Sequence, residues 1–99
     1  MSLKDSLMKK IETQSEYWSK KIEQIRADAE AKKAEAKDQQ AEAEIEQKAT
    51  QQLQGLERQV KEAKSRLQEL QEAGEERADE MKDDVESWLA RNRNKESGS

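Results

Sequence analysis

Apolar residues recur along the N-terminal part of the chain at alternating steps of three and four. Met8, Ile11, Trp18, Ile22, Ile25 and Ala29 fall on one seam, with Ser15 in the remaining slot and Leu7 at its flank. Such a seven-residue repeat is the mark of helices that supercoil around a partner. Between residues 27 and 49 the seam gives way to an Ala-rich stretch in which Ile45 is the one large apolar residue. From Ala49 the repeat is regular again through Leu53, Leu56, Val60, Ala63, Leu67 and Leu70. Gly74 takes the next position, and Ala78, Met81, Val85 and Trp88 follow with a small change of phase. That step of four plus four predicts either a local change of supercoil pitch or a helix break at Gly74. Residues 92–99 carry no periodicity and are expected to form a disordered tail.

The pattern predicts an all-α fold in a single coiled-coil domain over residues 1–91. Ser2 is placed to cap the first helix, with Asp5 in its first turn. There is no Pro, and no Asn-Gly or Asp-Gly pair, to mark a turn. Thr50 to Gly55 lies near the midpoint, so the expectation is an antiparallel helical hairpin with its turn near residues 50–55. Helix 1 then spans about 3–49 and helix 2 about 55–91. Two alternatives stay open: unbroken long helices in an antiparallel dimer, and a third short helix after Gly74. Folding about residue 53 sets Trp18 opposite Trp88, Ile25 opposite Met81 and Ile22 near Val85. It also places Leu53 to Leu70 against the Ala-rich stretch, where small residues let helices approach closely.

Composition supports helix over disorder. Charged residues make up 42% and hydrophobic residues 31%, too little apolar material for a compact globule. The residues in excess, Glu, Gln, Lys, Ala and Arg, are strong helix formers, whereas of the Pro, Gly and Ser common in disordered chains Pro is absent and Gly occurs three times. The net charge of −4 is unevenly spread. Residues 1–26 hold six basic and four acidic side chains, and residues 69–86 hold nine acidic ones against Arg77 and Lys82. Antiparallel pairing sets the basic segment against the acidic one, whereas a parallel homodimer stacks acid on acid. An acidic chain of this kind repels a phosphate backbone, so nucleic acid is not an expected partner.

Catalysis is not expected either. With no His and no Cys, the chain lacks imidazole triads, thiol nucleophiles, disulfides and nearly all zinc-site chemistry, and it has no Gly-rich phosphate loop. No catalytic residue, cofactor or metal site is assigned. Asp79, Glu80, Asp83 and Asp84 share a helix face, but a solvated face or a partner for the basic N-terminal segment accounts for them, and no cation-wrapping loop accompanies them. Lys9, Lys10, Lys20 and Lys21 beside Leu7, Met8, Ile11 and Trp18 have the make-up of a membrane-surface helix. Glu12, Glu16 and Glu23 weaken that attraction, and coiled-coil flanks explain the same charges. No apolar run reaches the length of a signal-peptide core or a bilayer span, so a cytoplasmic location is the expectation.

Three segments together resemble a known family. They are Glu16-Tyr-Trp-Ser-Lys-Lys-Ile-Glu-Gln-Ile25 with the Ala/Glu/Lys helix after it, the regular Leu53–Leu70 repeat, and Ala73-Gly-Glu-Glu followed by Met81-Lys-Asp-Asp-Val-Glu-Ser-Trp-Leu89. In this order they are similar to small bacterial coiled-coil proteins that are sometimes labelled stress-response proteins. The resemblance covers roughly residues 4–90. It implies a bacterial, cytoplasmic, stress-linked role, with no enzyme activity, cofactor or defined site.

The residues themselves point to a non-enzymatic structural interaction protein that self-associates or docks on partner helices. Its interaction seam is assigned to Ile11, Trp18, Ile22, Ile25, Leu53, Leu56, Val60, Leu67, Leu70, Met81, Val85 and Trp88, with the two tryptophans as anchors. The second-ranked function is reversible binding to a membrane or lipid surface, in which the hairpin opens and its apolar stripe meets the bilayer.

Overall fold

The computed structural model describes the backbone of residues 2–98 and the side chains of residues 2–92. Three helices follow one another: α1 (Leu3–Glu35), α2 (Gln39–Glu72) and α3 (Glu75–Gly98). The molecule is elongated, 58 Å by 21 Å by 17 Å. Helices α1 and α2 pair as a long antiparallel hairpin. Helix α3 folds back against α2 and runs parallel to α1, and its described side chains, through Asn92, lie in the groove between them over the half nearest the α2–α3 turn.

The hairpin is present, but its turn is at Ala36–Asp38 and not at residues 50–55. Local chemistry explains the position. The Asp38 carboxylate accepts a hydrogen bond from the Ala41 backbone N–H at 2.8 Å and so caps α2. Lys32 and Lys33 sit in the last turn of α1, where positive charge suits the helix dipole. The Ala36 N–H closes the helix on the Lys33 carbonyl at 3.2 Å. By contrast, Thr50 to Gly55 lies inside α2, because a turn there would cut the regular seam through Leu53 and Leu56. The Ala-rich stretch therefore contains the turn and pairs with itself, rather than with Leu53 to Leu70.

Gly55 is an interior helical glycine on the exposed side of α2, and a Cβ built there meets nothing within 4 Å. Gly55→Ala is expected to stabilise the protein by about 0.5–1 kcal/mol, since only the conformational freedom of the unfolded chain is lost. A thermal melt followed by circular dichroism checks this, and a lower Tm would contradict an uninterrupted α2.

Of the two readings of the phase change at Gly74, the helix break is the one adopted. Ala73 ends α2 with φ −88° and ψ 150°, and the Gly74 carbonyl accepts the Ala78 N–H as α3 begins. Helix α2 has no basic residue in its last turn. Lys4 from the start of α1 supplies that charge, donating to the carbonyls of Gln71 (3.0 Å) and Ala73 (2.9 Å). Ser2 caps α1 as expected, accepting from the Asp5 N–H at 3.1 Å. Thus the third short helix is adopted, and unbroken long helices are not.

Helix α3 also outlasts its periodicity. The tail expected from residue 92 continues as helix to Gly98; Ser99 lies outside the described residues. The Asn92 side chain donates to the Trp88 carbonyl at 2.8 Å and accepts from Gln59 Nε2 at 2.9 Å, which ties α3 to α2 beyond the last seam residue.

Candidate functional site

Most of the assigned seam lies inside the bundle. Ile11, Trp18, Ile22, Leu56, Leu70, Val85 and Trp88 are buried, and Ile25, Leu53, Val60, Leu67 and Met81 pack half-buried against them. Trp18 meets Trp88 edge to face, with ring centroids 5.6 Å apart and planes at 75°. The pair was expected between antiparallel helices; it forms instead between the parallel helices α1 and α3. Ile25 and Met81 do not meet. Met81 borders the α2–α3 turn with Ala73 and Gly74, while Ile25 lies on the far arm near Ala49.

Sequence reasoning left Leu7 at the flank of the seam, yet it is fully buried, and Leu89 beside Trp88 is buried too. A two-stranded seam gives each helix one buried stripe. In a three-helix core each helix faces two neighbours, so residues beside the stripe are covered as well.

The Trp pair is held by polar groups of α2. The Arg66 guanidinium lies 4.8 Å from the Trp88 ring centroid, and it contacts Glu62 at 3.3 Å and Asp84 of α3 at 3.9 Å. Both indole N–H groups and Gln59 Oε1 are buried without a hydrogen-bond partner among the described residues. Lys10 reaches Glu86 at 3.4 Å, so the basic start of α1 does face the acidic α3. That pair is exposed and contributes little.

In the acidic cluster, Glu80 pairs with Arg77 at 4.0 Å and Asp84 with Arg66. Among the described residues, no group of three or more carboxylates is placed to hold a metal ion.

Beyond the reach of the described α3 side chains the α1–α2 groove lies open, with a volume of about 850 Å³. Its floor is Ile25, Ala29, Ala41, Ile45 and Ala49, all half-buried, and its rim carries Asp28, Lys32, Glu44 and Lys48. The arm around it is held on its outer side by Lys33–Glu46 (3.7 Å) and Arg26–Glu57 (3.0 Å). Two features place this groove: the Asp38 cap sets the hairpin's apex, and the small residues Ala29, Ala41 and Ala49 lie on its floor. No family model, curated protein or solved structure matches this chain. The groove's own chemistry must therefore carry the functional reading. A trough with a small apolar floor and charged edges suits an α-helix, since α3 fills the same trough further along with Val85, Trp88 and Leu89.

Proposed function

We propose that this protein is a non-enzymatic helix-docking protein whose α1–α2 groove, beyond α3, receives a further helix by self-association or from a partner. One observation supports the reading: the described side chains of α3, which end at Asn92, cover only part of the trough, and the remainder keeps the same apolar floor. A lipid-surface role has less support. Leu7, Ile11 and Trp18, the apolar side of the N-terminal segment, are fully buried. Among the described residues the only exposed large hydrophobic is Tyr17, and no helix is long and apolar enough to cross a membrane.

The test is titration with a synthetic amphipathic helix bearing Leu at i, i+3, i+4 and i+7. Amide shifts in a nitrogen–proton spectrum are expected to move along residues 25–52 and to stay fixed along residues 75–92. Ala49→Arg is expected to abolish the response. Shifts absent, or spread evenly over the chain, would count against a docking groove.

A further inference from the structure

We infer that the Ala73–Gly74 turn straightens to give a second form of this protein, a dimer in which each chain lays its α3 in the α1–α2 trough of a second copy. The surface used is the one that α3 covers within a single chain, so the inference stands apart from the helix-docking reading of the open groove.

The turn is weakly fixed. Ser2 and Asp38 cap α1 and α2 through their side chains, at 3.1 Å and 2.8 Å. Gly74 has no side chain with which to do the same for α3. Ala73 is extended, with φ −88° and ψ 150°, and Gly74 has no positive φ, so neither residue demands a turn. Alanine is the strongest helix former, and a glycine is only mildly unfavourable inside a helix. The apolar seam also runs through the junction. Leu67, Leu70, Gly74 and Ala78 are spaced three, four and four. Such an eleven-residue spacing, at about 3.67 residues per turn, stays on one face of a nearly straight helix.

Lys4 arbitrates between the two forms. Its Nζ donates to the Gln71 carbonyl at 3.0 Å and to the Ala73 carbonyl at 2.9 Å. In a continuous helix those carbonyls accept the backbone N–H groups of Glu75 and Arg77. The ammonium and the two amides thus compete for the same acceptors.

The exchange closes on itself. Within one chain α3 runs antiparallel to α2 and parallel to α1. When α3 instead continues α2 in a straight line, a two-fold axis through the junction, perpendicular to the long helix, sets a second hairpin beside it with both directions preserved. The Trp18–Trp88 ring contact, the Arg66–Asp84 ion pair and the Gln59–Asn92 hydrogen bond then form between copies as they do within one chain. The two forms therefore differ only at the junction and in the entropy of association. At low concentration both favour the single chain, because straightening gives up the Lys4 contacts and makes Glu72 and Glu76 like-charged neighbours one turn apart.

Refolding the full chain from denaturant at millimolar concentration, followed by size-exclusion chromatography with light scattering, tests this. A two-chain species is expected beside the single chain, and X-ray scattering is expected to show it at about twice the single chain's 58 Å length. Gly74→Ala places a Cβ where nothing lies within 4 Å, which leaves the closed turn sterically undisturbed. It is expected to raise the two-chain share several-fold, as is Lys4→Met. Glu75→Pro suits the first position of α3 but blocks the continuous helix, and is expected to give one chain only. In a dimer refolded from isotope-labelled and unlabelled chains, filtered nuclear Overhauser spectra are expected to connect Trp18 of one copy with Trp88 of the other. A one-chain mass for both the parent and Gly74→Ala overturns the inference. So does a dimer that survives Glu75→Pro, or one whose tryptophan contacts stay within a copy.

Discussion

Trp88→Ala is expected to cost about 3–5 kcal/mol and to free α3 from the hairpin. Trp88 is 2% exposed, sits edge to face on the fully buried Trp18, and carries the Arg66 guanidinium on its ring. Its removal leaves a void in the core that all three helices share. For a chain of this length the loss corresponds to a fall in Tm of roughly 15–30 °C, a large share of a typical domain's ~5–15 kcal/mol. The remaining Trp18 reports the event directly: its emission is expected to move to the red as water reaches the ring. Trp88→Phe sharpens the test. The indole N–H is buried with no acceptor among the described residues, so phenylalanine loses volume but also removes that donor, and its cost is expected to stay below roughly 2 kcal/mol. An alanine variant that melts within a few degrees of the parent would mean that α3 is not docked through this ring.

Proline separates the two possible turns. Gln51 is exposed in the interior of α2. Gln51→Pro removes a helix hydrogen bond and drives its ring into the carbonyl one turn earlier, at about 3 kcal/mol or more. Because the side chain packs on nothing, the loss reads the backbone alone. Lys37→Pro is expected to be nearly neutral. Ala36 already holds φ −65° and ψ 141°, the extended conformation that a following proline requires. Denaturant titrations of the two variants give the comparison. A tolerated proline at 51 with a damaging one at 37 would return the turn to residues 50–55.

The misplaced turn has a clear origin. Glycine attracted attention at 55, but a glycine in a helix costs only about 1 kcal/mol and forces nothing. Asp38 was the effective signal: a short carboxylate three residues before Ala41, with Glu42 following in the first turn, is a helix start. It lay inside an Ala-rich stretch with no apolar seam on either side, so periodicity could not draw attention to it. Gly74 was legible because the seam changed phase there. The meeting of Trp18 and Trp88 was anticipated through an incorrect register. Both residues lie on the apolar stripe, and any fold that buries the stripe completely brings its two largest side chains to the same core.

The sequence by itself determined that this protein is helical, which faces are apolar, where α1 begins and that the repeat changes phase at Gly74. These follow from spacing, propensity and caps, all of which act within a few residues. Only the tertiary structure decided that three helices share the core, that α1 and α3 run parallel, that Leu7 and Leu89 are buried, and that part of the groove is left open. Those outcomes depend on relative helix lengths and on which stripe meets which. They are settled by burial of apolar surface summed over the whole chain, a quantity that no local pattern contains.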